Sequence, residues 1–169
     1  GRANHCFLIK ADLVKKYKPS VMEKEYYRLW DFLRKKTLIY NGRIWSWAGD
    51  GGLIAFRISD GLSNAVACCL EIQLALPVYN SSELKAIEED IMLRVGMDVG
   101  NIKFFLYTGK IISDLINYAA NLKKKGTCPG GVSISENIYG KLNNAMKKLF
   151  KNRQEFEGKK CIFPSGGKR

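Results

Sequence analysis

The stretch Arg43-Ile44-Trp45-Ser46-Trp47-Ala48-Gly49-Asp50-Gly51-Gly52-Leu53-Ile54-Ala55-Phe56 constrains this chain more than any other. Two apolar, β-prone runs flank Gly-Asp-Gly-Gly, which predicts a hairpin closed by a tight turn. Glycine there allows a positive φ and leaves the backbone open to close approach. Asp50 then stands at the tip with little side chain around it, a position that suits a metal ligand or a phosphate-facing carboxylate. Asp-Gly is equally ordinary turn chemistry. The stretch taken alone defines a hairpin and favours the plain turn reading of Asp50.

Other elements read around it in order. Cys6 to Ala11 is a short β-type run ending at Asp12. Ser20, with Glu23 three residues on, predicts a capped helix through about Arg34, whose apolar face is Met22, Tyr26, Leu29, Trp30 and Leu33. Asp60-Gly61-Leu62-Ser63 opens a second helix with Ala65, Val66, Cys69, Ile72, Gln73 and Leu76 on its stripe and Pro77 near its end. Glu83 to Asp90 is acidic and expected to be exposed. Ile91 to Gly100 alternates like a strand, with Ile102 to Tyr107 as its expected hairpin partner. Ile112 to Leu122 reads as a third helix stopped by Gly126 and Pro129. Val132 to Ser135 is a short strand, Ile138 to Phe150 is helical in part, and Phe156 to Phe163 is expected at a sheet edge. This order predicts an α+β fold with one largely antiparallel sheet covered by helices.

The 169 residues fit a single domain. Its core is expected over about 6–163, with 164–169 as a flexible tail. With 46% hydrophobic and 26% charged residues the chain is expected to fold rather than stay disordered. No run is expected to span a membrane, and no signal-peptide pattern opens the sequence. Five cysteines without a C-x-x-C pair point to core thiols in a reducing compartment, hence a cytoplasmic location. The formal charge of +12 favours anionic partners such as nucleotides, nucleic acid or an acidic membrane face, without choosing among them. Nucleic acid is the weakest of these: Ile102 to Tyr107 alone interleaves aromatic and basic residues, and it reads as core and edge.

Two expected strands end near an aspartate, Asp12 and Asp50. If the strands are neighbours, the carboxylates meet at one end of the sheet, and paired carboxylates are donors for hard divalent cations. Trp45 and Trp47 share one strand face by alternation, which assigns them to core or interface packing. Asp98 reads as a solvent-facing or hydrogen-bonded carboxylate, and Asp114 as a helix cap. Arg57 and Arg94 could reach phosphate, but ion pairing with the stretch from Glu83 to Asp90 is the favoured reading.

The motifs together resemble the catalytic domain of class III nucleotidyl cyclases, the adenylate and guanylate cyclase family, over nearly the whole chain. Ile9-Lys10-Ala11-Asp12-Leu13-Val14 resembles the strand with the first metal aspartate, and Trp47-Ala48-Gly49-Asp50-Gly51 the hairpin with the second. Leu93 to Gly100 resembles the arginine-valine-glycine strand, and Ile116 to Leu122 the helix with the asparagine and arginine of the site. Pro129 to Ser135 and Phe156 to Lys159 resemble the strands that follow.

The resemblance implies a ferredoxin-like sandwich and a head-to-tail homodimer. It implies two Mg²⁺ or Mn²⁺ ions held by Asp12 and Asp50 with help from the Leu13 carbonyl. A nucleoside triphosphate would bind with its phosphates at the backbone of Leu13 and Val14. Asn117 of one copy would orient the ribose bound by the other, and the 3′-oxygen would attack the α-phosphate, releasing pyrophosphate. Three positions depart from the family. Its transition-state arginine falls on Asn121, which offers no cationic fork. Its purine-reading lysine falls on Ser46, and that lysine's aspartate partner falls near Lys110. Base choice is therefore open, and a nucleotide-binding or dimerisation module without catalysis is the alternative that the resemblance implies.

Overall fold

The computed structural model describes residues 3–12, 17–48, 51–57, 61–101, 103–105, 110–112, 130–150, 152–156 and 159–163. For 3–12, 48, 100–101, 103–105, 110–112, 152–156 and 159–163 it describes the backbone. The elements run β1 (Ala3–Asp12), α1 (Pro19–Ile39), β2 (Arg43–Ala48), β3 (Gly51–Arg57), α2 (Leu62–Asn80), β4 (Met92–Asn101), β5 (Lys103–Phe105) and β6 (Lys110–Ile112). They continue with β7 (Val132–Ser135), the short helices α3 (Glu136–Tyr139) and α4 (Asn144–Lys147), β8 (Asn152–Phe156) and β9 (Lys159–Phe163).

Seven strands form one sheet in the order β2-β3-β1-β4-β7-β9-β8. All its pairings are antiparallel except β4 with β7. The fold is α+β, as the element order predicted. Its interior strands are buried on successive residues: Leu53, Ile54, Ala55 and Phe56 on β3, and Val132, Ser133, Ile134 and Ser135 on β7. Burial on both faces explains why the β3 run lacks apolar–polar alternation.

Helix α1 starts two residues earlier than the capping pattern predicted and runs past Arg34 to Ile39. Pro19 occupies its first turn, where the missing N–H costs nothing, and Lys18 rather than Ser20 is the cap residue. The extra C-terminal turn is held by one bond within the helix and two to α2. The Thr37 hydroxyl donates to the Leu33 carbonyl at 2.6 Å, while Lys36 and the Tyr40 hydroxyl both reach Glu71 on α2. Those two donors hold the Glu71 carboxyl below its usual range, Tyr40 first. Gly42 ends the turn because a Cβ there would lie 2.4 Å from the Phe56 ring and 2.7 Å from the Thr37 methyl.

Helix α2 packs against β1, β3 and β4. Its buried residues are Ala65, Val66, Cys68, Cys69, Ile72, Leu76 and Tyr79. By length and composition it is also apolar enough to cross a membrane, which corrects the expectation that no run approaches a span. Part of that apolarity serves the core, while Leu74 and Val78 are exposed. Burial pushes the Cys68 thiol up to about 12 and holds Cys69 well above its ordinary value, so both are core thiols.

Two strand assignments differ from the sequence reading. The segment after β4 does not fold back on it: β5 pairs with β6 in a separate two-stranded sheet. The C-terminal run is a hairpin in which β8 takes the edge and β9 sits inside against β7. Both errors concern which strand a partner selects, which local sequence does not encode. The expected third helix lies outside the described residues from 113 onward, and Asp114 with it.

Candidate active site at the end of the first strand and its hairpin

The register of three strands builds the candidate site. β1 runs antiparallel to β3 with Lys10 opposite Gly51, and antiparallel to β4 with Asp12 opposite Met92. The last residues of β1 therefore lie beside the end of the β2–β3 hairpin. Asp50 itself lies outside the described residues, one peptide bond before Gly51. Lys10 and Gly51 are thus two residues before Asp12 and one after Asp50 in a shared ladder. Neighbouring strands are about 4.8 Å apart.

Ser46 sits on β2, the edge strand of the sheet, opposite Leu53, and is exposed. Its register shifts by one because a bulge separates Ile44, opposite Ile54, from Ser46. A bulge adds a residue and re-aims those beyond it. The alternation that grouped Trp45 with Trp47 fails for this reason. Trp45 is 38% exposed, whereas Trp47 packs against the core cluster. Gly52 admits that packing, since a Cβ on it would come within 2.4 Å of the Trp47 ring. Lys110 opens β6 opposite Phe105 in the separate small sheet, where its backbone is described. Leu13, Val14, Asn117 and Asn121 lie outside the described residues.

Among the described residues Asp98, Asp90 and Glu89 have partners of their own. Asp98 lies opposite Cys6 on β1, six residues from Asp12, which is on the order of 20 Å along a strand. It is 3% exposed and accepts bonds from the Ser135 hydroxyl at 2.5 Å and the Val99 amide at 2.8 Å. Of the two readings for Asp98 the hydrogen-bonded one holds and the solvent-facing one does not. Within the stretch from Glu83 to Asp90, Asp90 pairs with Lys85 and Glu89 accepts from the Tyr17 hydroxyl at 2.6 Å. Among the described residues no group of three or more His, Cys, Asp or Glu is placed to hold a metal ion.

Sequence reasoning missed two polar supports. Glu25 is fully buried on the core face of α1 and accepts from the Tyr79 hydroxyl at 2.7 Å, the Ala86 amide at 2.7 Å and Arg28 at 3.2 Å. Burial first, then that carboxylate, pushes the Tyr79 hydroxyl far up. The signal was available: Glu25 falls at helical spacing with Met22, Leu29 and Leu33. Gln73 was read as part of an apolar stripe. Its amide donates to the Leu93 carbonyl at 3.0 Å and the Gly131 carbonyl at 3.1 Å, bracing the start of the parallel β4–β7 pairing.

This order of strands and helices defines the fold of a nucleotidyl cyclase catalytic domain. No protein-family model and no curated relative matches the sequence. Solved structures do match. The guanylyl cyclase domain of the RhoGC fusion protein from the aquatic fungus Blastocladiella emersonii superimposes with a TM-score of 0.82 at 16% identity, over 99% of this chain and 97% of that one. The guanylate cyclase domain of RhGC from Catenaria anguillulae, solved with GTP, gives 0.75 at 16% identity, over 96% and 94%. The adenylyl cyclase CyaB from P. aeruginosa gives 0.79 at 16% identity, over 99% and 95%. The similarity spans both base specificities, so it establishes the architecture and leaves the base unassigned.

Proposed function

We propose that this chain is a nucleotidyl cyclase domain that converts a nucleoside triphosphate into a 3′,5′-cyclic nucleoside monophosphate and pyrophosphate. The observation that carries the reading is the register of Lys10 with Gly51, which sets the strand end bearing Asp12 beside the hairpin bearing Asp50. It does so in a fold with a solved GTP complex among its examples. Two carboxylates and a backbone carbonyl are hard oxygen donors that fit Mg²⁺ or Mn²⁺, so Asp12, Asp50 and the Leu13 carbonyl would hold two such ions. Bound there, the ions supply charge neutralisation at the reacting phosphate.

The chain's own residues do the positioning. Backbone amides of Leu13 and Val14 would meet the phosphates, helped by the α1 N-terminus that follows in sequence. Asn117 from a second copy orients the ribose, so the working unit is a homodimer. Ser46 and Lys110 flank the base, where the exposed Ser46 offers a hydroxyl in place of an ammonium. The finer fold assignment accompanies this reading. The order β2-β3-β1-β4, with α1 and α2 as crossovers, supports a ferredoxin-like sandwich in that half of the sheet.

The test is to incubate the purified protein with each of the common nucleoside triphosphates and Mg²⁺ or Mn²⁺. A cyclic product from one of them is expected. Its absence with every nucleotide, at concentrations where the protein dimerises, refutes the proposal. A second reading rests on Asn121 and Ser46, which replace the family's two cationic residues: a module that binds nucleotide or dimerises without turnover. Calorimetry with a non-hydrolysable triphosphate distinguishes the two, since binding without product favours the second.

A further inference from the structure

Helix α1 carries two apolar stripes. One, through Met22, Leu29 and Leu33, enters the core. The other runs Pro19, Met22, Glu23, Tyr26, Tyr27 and Trp30, at spacings i, i+3, i+4, i+7, i+8 and i+11, and with Trp47 of β2 it lines a groove of about 530 Å³. Pockets for small ligands typically measure about 300–1,000 Å³. Met22 belongs to the core and Tyr26 and Trp47 pack against it, whereas Tyr27 is 69% exposed, which burial does not explain.

The chemistry of the lining is specific. Four of its seven residues are aromatic. On a chain with 28 Lys and Arg against 16 Asp and Glu, the described lining holds one carboxylate, Glu23, and no cation. Aromatic faces carry negative quadrupole potential and attract cations, more strongly where water is partly excluded. The chain already uses its rings this way. The Arg34 guanidinium lies 5.6 Å from the Trp30 ring centre, Arg28 lies 4.0 Å from that of Tyr79, and the Lys147 ammonium lies 5.4 Å from that of Tyr139.

We propose that the groove formed by Tyr26, Tyr27, Trp30 and Trp47, with Glu23 as its single charge, binds a small organic cation of the quaternary ammonium class. Such an ion carries no N–H groups that would need hydrogen-bond acceptors, and the lining offers few. Its apolar body covers the rings while its charge meets their faces and the Glu23 carboxylate. The site lies on α1 and β2 and does not depend on turnover.

The experiment is a calorimetric titration of the intact protein with benzyltrimethylammonium and with its neutral isostere, neopentylbenzene. The cation is expected to bind about tenfold more tightly than the isostere, as a cation–π contribution of ordinary size implies. Glu23→Gln is expected to weaken the cation by about threefold and leave the isostere unchanged. Tyr27→Ala is expected to weaken both. Glu23 and Tyr27 are exposed, and circular dichroism of each variant checks that the fold is retained. Equal binding of cation and isostere, no binding of the cation at millimolar concentration, or cation binding that neither substitution changes overturns the proposal.

Discussion

Replacing Glu25 tests the view that a buried carboxylate joins α1, α2 and the connection to β4. Glu25→Ala leaves the Tyr79 hydroxyl and the Ala86 amide without their acceptor. An unsatisfied buried donor costs about 1–3 kcal/mol. Arg28 also loses its partner, but its side chain keeps 19% exposure and a bond to the Tyr79 carbonyl, so water can compensate there. The total expected loss is about 3–5 kcal/mol, within the range for breaking a buried charged pair. Glu25→Gln keeps the volume and one acceptor while turning an NH₂ toward a donor, for about 1–3 kcal/mol. Tyr79→Phe removes one donor and is expected to cost about 1–2 kcal/mol. Urea unfolding of the two single variants and of the double variant Glu25→Ala/Tyr79→Phe completes a cycle. The double variant should be less destabilised than the sum of the singles by about 1–2 kcal/mol. A loss below about 1 kcal/mol for Glu25→Ala, or strict additivity in the cycle, refutes the reasoning.

Three further outcomes follow from particular contacts. Asp12→Asn and Asp50→Asn are each expected to lower the rate of cyclic product formation by at least about 10²–10³-fold, while the melting temperature moves little; retained activity in either variant removes the proposed ion-binding pair. Gly42→Ala drives a methyl into the Phe56 ring and the Thr37 side chain, at 2.4 and 2.7 Å. It should cost about 1–3 kcal/mol in thermal or urea unfolding, which an unchanged melting temperature would contradict. Cys68 stays protonated in the folded state up to about pH 12, whereas an unfolded thiol releases its proton near 9.0. The unfolded state therefore binds fewer protons in that window, and the stability Cys68 contributes is complete below about pH 9 and lost as pH rises toward about 12. Urea midpoints across this range should fall less steeply for Cys68→Ala than for the unsubstituted chain; identical slopes would exclude the thiol.

Sequence by itself determined the elements whose signal is local. The glycines between two β-prone runs fixed the β2–β3 hairpin, apolar residues at helical spacing fixed α1 and α2, and the six ordered motifs pointed to the cyclase fold. Tertiary structure decided which strands are neighbours and which polar side chains go inside. Nothing local to residues 102–107 states that β5 pairs with β6 rather than with β4. The bulge that separates Trp45 from Trp47 appears only in the pairing of β2 with β3. Spacing places Glu25 on the core face of α1 and leaves Asp98 open between solvent and a hydrogen bond, but only Tyr79, Ala86 and Ser135, arriving from elsewhere in the chain, satisfy these carboxylates. Periodicity reports the free energy of one segment meeting water or a core. Strand partners and buried hydrogen bonds depend on groups distant in sequence, so only the assembled fold determines them.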